Sequence, residues 1–381
     1  KFAELRRKAA AHRGSLWQVM DLPPPGGQRP DGTFCVVVSY DAVGRVLRDG
    51  QTFSSAGFSQ SIGKLFGRSI LEMDDPEHRQ HRMLIEQAFG RRAMENIQGD
   101  VIQPIAARLI DKLEGKDGVD LVRALTFPLP IRVIASLLGL PDEDRPKFHR
   151  WAMELLGGAL DPRVRFAASM SLRDYFAGIL AERRKNPRED LISALAQAQV
   201  EGQTLTDDLI FAFLRLLLPA GAETTYRSLA NLFFGLLTHP EQWEAVRQDR
   251  SLVPKAVDEG LRWETPLTTT ARWATRDCEI GGLEIPKGSE VSVSLGSANH
   301  DDSKFSAPDA FDLRRPLQQS LTFAMGPHTC VGMHLARTEG IVALNAVLDR
   351  FPKLRLAPGA EDLHISGLLF RSIEKLPVVF N

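Results

Sequence analysis

"FAMGPHTCVG", residues 323–332, sets Cys330 behind a proline and a histidine and between two glycines. The chain has three cysteines, and neither Cys35 nor Cys278 has such a frame. Helical periodicity resumes at Cys330 and runs through "VGMHLARTEGIVALNAVLDRF". The thiol therefore stands at a loop-to-helix junction, where free backbone N–H groups favour a thiolate. Gly326 and Gly332 allow close backbone approach, to a turn or to something flat. An inert core thiol, a disulfide, a metal ligand and a nucleophile are all open on these residues alone. Zinc held by His328, Cys330 and His334 would lack a fourth ligand at a usual spacing. A Cys–His hydrolase needs a distant histidine that sequence does not locate.

Bulk composition narrows the class. With 381 residues, 43% of them apolar and 25% charged, the chain can enclose a ligand within a sizeable core. A net charge of −1 argues against nucleic acid and a polybasic membrane contact. Three widely spaced cysteines make no disulfide framework, so a reducing compartment is expected. The longest apolar stretch, "LIFAFLRLLLPAGA" at 209–222, is interrupted by Arg215 and Pro219 and is too short to span a bilayer. A cytoplasmic protein without a membrane span is expected. The start, "KFAELRRKAAAHRGSLW", lacks an initiator Met, so the natural chain is expected to begin earlier.

Helical patterns dominate from about residue 76 to 265. "TFCVVVS" (33–39) reads as a strand, "CEIGGLEI" (278–285) as a hairpin turning on Gly281-Gly282. "EVSVSL" (290–295) alternates Val291, Val293 and Leu295 against Glu290, Ser292 and Ser294, which predicts one buried face. Strand signals flank the helices at both ends, so one domain over 1–381, mainly α with smaller β regions (α+β), is expected. The dominant helix starts at the N-cap Thr206, with Asp207 and Asp208 in its first turn, and stops at His239-Pro240. Its middle, "PAGAETT" (219–225), suits a helix badly, and a long central helix broken in its middle signals a functional site.

The frame Phe323-x-x-Gly326-x-His328-x-Cys330-x-Gly332-x-x-Leu335-Ala336-Arg337 closely resembles the haem-binding loop of the cytochrome P-450 monooxygenases, the soluble bacterial kind in particular. Three further motifs resemble that family in the right order. "DPEHRQHR" (75–82) is similar to its Asp-Pro…His-x-x-x-Arg element, "AGAETT" (220–225) to its oxygen-activation segment and "EGLR" (259–262) to its Glu-x-x-Arg pair. "ANHDDSKFSAPDAFDLRR" (298–315) resembles the stretch before the cysteine loop.

The resemblance implies the P-450 fold, with a b-type haem (heme b, iron protoporphyrin IX) between the long central helix and the cysteine-loop helix. Cys330 would be the axial iron ligand, a thiolate that favours O–O cleavage. His78, Arg82, Arg272 and His328 match the family's haem-propionate partners, since buried propionates require cations. Ala220, Gly221, Phe323, Gly326 and Gly332 would complete the cofactor contacts. Glu223 and Thr224 would relay protons beside the oxygen site, where Gly221 and the opened helix leave room. Glu259 and Arg262 would form a buried structural pair joined by a later arginine, for which Arg315 has a better offset than Arg314. The pocket would be lined from 53–69 (Phe58, Leu65, Phe66), from the segment after Glu-x-x-Arg (Leu267, Thr268, Thr269) and from the C-terminal turn (Leu368, Leu369, Phe370). These residues are mostly apolar, so a hydrophobic small molecule is the expected substrate, with dioxygen as co-substrate.

Two positions depart from the family pattern. Ala324 stands where bacterial relatives usually have Gly, and Pro219 cannot donate to the Arg215 carbonyl, so a fixed kink is expected. No flavin or nicotinamide fingerprint is present. Electrons would come from a ferredoxin or flavodoxin with its reductase, or from a fused reductase domain outside this sequence. Arg79, Arg91 and Arg92 are docking candidates for an acidic partner. A monomer is expected. Two rivals, a peroxide-driven relative and a non-catalytic haem-binding or sensing protein, sit poorly with an intact Glu223-Thr224 pair.

Overall fold

The computed structural model describes residues 1–24, 32–89, 96–156, 161–360 and 362–380. One helix, Asp207–Thr238, organises the chain. Thr206 caps it, its Oγ1 accepting the Leu209 N–H at 3.3 Å. At the far end His239 leaves helical geometry and Pro240 starts the next helix, Pro240–Gln248. Among the described residues this is the one helix long and apolar enough to cross a membrane, yet its side chains form the protein's own core. Ile210, Ala212, Leu214, Leu218, Ala222, Ala230, Phe233 and Leu236 are all fully buried.

The broken middle is real. Over Leu218–Glu223 the helix widens into π turns. Pro219 offers no N–H to the Arg215 carbonyl, so the bonding ladder loosens where the sequence weakens it. Helices Pro128–Leu137, Arg145–Leu156, Pro162–Lys185, Val253–Trp263 and Met333–Arg350 pack around this axis.

A five-stranded sheet flanks the helices, in the order Ala11–Arg13, Phe34–Val37, Glu290–Ser294, Thr269–Ala274, Phe53–Ser54. Glu290–Ser294 runs parallel to Phe34–Val37 and antiparallel to Thr269–Ala274. This central place corrects the expectation of one buried face: Ser292 and Ser294 are buried like Val291 and Val293. With both faces covered, alternation here separates small hydroxyl from aliphatic side chains rather than outside from inside. The hairpin forms as expected, Cys278 opposite Ile285, with Gly281 and Gly282 at φ +57° and +82°. Both positive values suit a two-residue type I′ turn. Cys35 and Cys278 share one apolar cluster, and burial pushes the Cys35 thiol up to about 12. Both are packing thiols.

Candidate active site

The cysteine loop is closed on itself. The Phe323 carbonyl accepts the Cys330 N–H at 2.9 Å, and the Gly326 carbonyl accepts the N–H and hydroxyl of Thr329 at 3.1 and 2.8 Å. The Arg337 guanidinium lies 5.3 Å over the Phe323 ring. Gly326 has φ +75°, and a Cβ there would stand 2.5 Å from the Leu47 carbonyl oxygen. This glycine is thus required by the loop's seat on the helix Tyr40–Arg48. The following helix begins at Met333, leaving Cys330 just outside it.

The thiol lies deep among protein atoms, and burial raises its pKa. The Gly332 N–H works against that rise and is the weaker effect.

Ala324 adopts φ +55°, the left-handed region that favours Gly. An alanine there costs about 1 kcal/mol. Ala324→Gly is expected to stabilise the protein by about that amount in urea unfolding. Unchanged or reduced stability would show that the loop bears no such strain.

A cluster of nitrogen groups converges beside this loop from three elements. The rings of His78, on the helix Glu77–Phe89, and His328 lie 4.0 Å apart. His78 is buried and its Nε2 has no hydrogen-bond partner among the described residues, while its Nδ1 is 3.4 Å from Asp75. His328 Nε2 meets the Ser55 hydroxyl at 3.1 Å. Arg272, buried on its strand, donates to the Ala271 carbonyl at 2.7 Å and makes no ion pair among the described residues. Burial brings its pKa down to about 10, and the nearest opposing influence is Asp74. Burial first, then His78, Arg272 and Arg82, bring His328 down to about 3. Such a set is costly alone and suits buried carboxylates well. Arg82 instead bonds Glu86, one helical turn on, at 2.7 Å.

The structural triad is complete. Arg262 grips Glu259 through two bonds of 2.8 Å, and Arg315 Nε reaches the same carboxylate at 3.2 and 3.3 Å. Arg315, not Arg314, is the third member. Arg262 also donates to the carbonyls of Asn299, Pro308 and Ala310. Asn299 passes the support on, since its side chain accepts the Leu321 N–H at 2.6 Å and donates to Thr322, next to Phe323.

On the central helix, the Thr224 hydroxyl donates to the Ala220 carbonyl at 2.6 Å, across the widened turns. Ala220 is exposed although it sits mid-helix. Gly221 does not provide that room: a Cβ there would meet Ile134 Cδ1 at 3.0 Å, so its open side faces a neighbouring helix. Glu223 pairs with Arg227 at 3.0 Å, and Arg227 continues to the Ser372 hydroxyl at 2.9 Å. Burial raises the Glu223 pKa and Arg227 pulls it back. Arg227 was missed by the sequence reading, although its i, i+4 spacing to Glu223 was visible. Ser372 carried no signal.

The pocket candidates divide. Phe58, Thr269 and Leu369 line one cavity of about 400 Å³ with Trp17, Phe34 and Ala271. Leu65 lines a separate cleft against Pro162 and Phe166, while Phe66 is buried in the main core. Leu267 and Thr268 are tied to the C-terminal turn: Leu267 bridges Phe370, and the Thr268 N–H donates to the Leu369 carbonyl at 2.9 Å.

This donor set fits one kind of cofactor. Among the described residues no three His, Cys, Asp or Glu side chains gather around a metal ion, which removes the zinc reading. A lone thiol suits a metal that brings its other ligands with it, and the unpaired His78 Nε2 and Arg272 suit that ligand's carboxylates. A haem has both properties.

The comparisons agree. The family model for cytochrome P450 matches residues 162–367. Cytochrome P450 CYP107DY1 of Priestia megaterium is 38% identical over 351 residues, covering 88% of this chain and 85% of that protein. The 6-deoxyerythronolide B hydroxylase of Saccharopolyspora erythraea is 38% identical over 328 residues, 84% of this chain and 80% of its own. The crystal structure of CYP109E1 from Bacillus megaterium in complex with testosterone superposes with a TM-score of 0.89 at 30% identity, covering 100% of this chain and 98% of that one. The chain belongs to the cytochrome P450 family. It is a haem-dependent monooxygenase with the P450 fold, as the cysteine frame implied.

Proposed function

We propose that this single-domain monooxygenase inserts one atom of dioxygen into a mostly hydrophobic small molecule, with Cys330 as the axial ligand of a b-type haem. The observation that carries the reading is the deep lone thiol of Cys330 beside the buried cluster of His78, His328 and Arg272, in which His78 Nε2 has no hydrogen-bond partner and Arg272 no ion pair among the described residues. When bound, the haem supplies the activation of dioxygen. His78, His328 and Arg272 would hold its carboxylates, with Arg82 in reach if it released Glu86. Glu259, Arg262 and Arg315 hold the loop that presents the thiol.

Glu223 is the proton source and Thr224 the group that holds a proton at the oxygen site. Because the Thr224 hydroxyl hydrogen is engaged by Ala220, its oxygen is left as an acceptor for a proton-bearing partner. Glu223, its pKa raised by burial, keeps its proton to higher pH than an ordinary carboxyl, the direction a proton donor needs. Arg227 opposes that shift. Replacing it with neutral Gln should move the Glu223 pKa further up, so the alkaline fall in coupled turnover should move to higher pH. A pH–rate profile of Arg227→Gln with its alkaline limb in place would contradict this role.

Phe58, Thr269 and Leu369 supply a largely apolar wall, and CYP109E1 is seen with testosterone, itself a mostly apolar molecule. A ferredoxin or flavodoxin would deliver electrons. Arg79 is exposed on the helix Glu77–Phe89 and available for such a partner; Arg91 and Arg92 lie outside the described residues. The protein is taken to act as a cytoplasmic monomer. A ligand screen on the haem absorption band, followed by turnover under isotopically labelled dioxygen, tests the reading. Product carrying one labelled atom is expected, and product labelled only from water would refute it.

A further inference from the structure

Arg215 is a buried guanidinium in the first half of the central helix, and among the described residues it has no carboxylate partner. Burying such a charge without a counter-ion is expensive unless oxygens surround it. Its oxygens come from three elements. Nε donates to the Phe211 carbonyl at 3.2 Å in the preceding turn, Nη1 to the Ser169 hydroxyl at 3.2 Å, and Nη2 to the Phe66 carbonyl. Ser169, on the helix Pro162–Lys185, in turn donates to the Leu65 carbonyl at 2.6 Å.

Leu65 and Phe66 end the short helix Ile62–Phe66, where terminal carbonyls have no helical donor. Both are therefore held, one directly by Arg215 and one through Ser169. The chain then reverses over the guanidinium at Gly67, whose φ is +85° and where a Cβ would stand 3.1 Å from Nη2. Three residues beyond Arg215 the central helix widens, because Pro219 withholds its donor from the Arg215 carbonyl. One residue thus joins the loop carrying Leu65 and Phe66 to the turn that precedes the oxygen segment.

We infer that Arg215 is a positioning residue that latches the segment Ile62–Gly67 to the central helix and thereby sets which ligands the pocket admits. The selectivity half rests on the reading of 53–69 as pocket wall, in which Phe58 lines the candidate cavity while Leu65 and Phe66, away from it, would act through the position of the loop. Loss of bonds from a charged donor should raise local opening about ten- to a hundredfold. Hydrogen exchange in haem-loaded Arg215→Met should therefore quicken by that factor at residues 65–67. The Gly67 N–H, bonded to the Gly63 carbonyl at 2.8 Å, is the reporter, and the helix Val253–Trp263 should keep its protection. The discrimination between imidazole and 4-phenylimidazole, read from the haem band, should fall as the loop loosens.

Ser169→Ala removes the link to Leu65 and the acceptor of Arg215 Nη1 but leaves the Arg215–Phe66 bond, and should move both readings the same way by less. It carries the test if Arg215→Met does not fold. Unchanged exchange at 65–67, or faster exchange everywhere, overturns the latch. Faster exchange confined to 65–67 with unchanged discrimination leaves the latch and overturns the pocket role of the loop.

Discussion

Glu259→Ala is expected to yield little soluble protein and almost no haem-loaded protein. The Glu259 carboxylate accepts two bonds from Arg262, the Nε of Arg315 and the Asp312 N–H at 2.9 Å. All three side chains are buried, between 3% and 7% exposed, so water cannot replace what is lost. Truncation leaves two guanidinium charges facing each other across a cavity. Breaking a buried pair in this way costs about 3–5 kcal/mol, a large part of a typical total of about 5–15 kcal/mol. The damage should reach the cofactor, because Arg262 and Asn299 support the strand of chain that enters the cysteine loop. Yield, haem per polypeptide and thermal unfolding measure it. A haem-replete variant of normal stability would contradict the structural role.

Thr224→Ala should leave haem content and ligand binding nearly intact while cutting product formation by about 10²-fold, the low end of positioned proton transfer. Oxygen uptake should persist, with the difference appearing as hydrogen peroxide. On the proposed reading the reason is local: the variant lacks the hydroxyl oxygen that would accept a hydrogen bond from the proton-carrying group at the oxygen site. The Ala220 carbonyl loses a donor but lies where water reaches it, so stability should change little. Glu223→Gln should slow the whole cycle instead. Thr225 is buried on another face and should tolerate Ala with its coupling unchanged. Equal coupling in wild type and Thr224→Ala would return Thr224 to a helix-bending role.

Local chemistry was legible in the sequence and distant partnership was not. The central helix could be delimited because its cap, its breaker and its flawed middle are short-range signals, and each stands where expected. The cysteine loop, the histidine pair and the Arg315 partner followed from motif resemblance and spacing. Ser292 and Ser294 misled because burial of a strand's second face depends on strand order, which joins residues from both ends of the chain. Gly221 misled because its packing partner, Ile134, lies on another helix. The latch at Arg215 reaches 149 residues back to Phe66, beyond any periodicity.

The axial role of Cys330 bears most directly on the whole account. The measurement is the absorption spectrum of the reduced, carbon monoxide-bound protein, wild type against Cys330→Ser. The wild type should show the red-shifted band of a thiolate ligand, and the variant, if it retains haem at all, should lack it. Persistence of that band in Cys330→Ser would contradict the account.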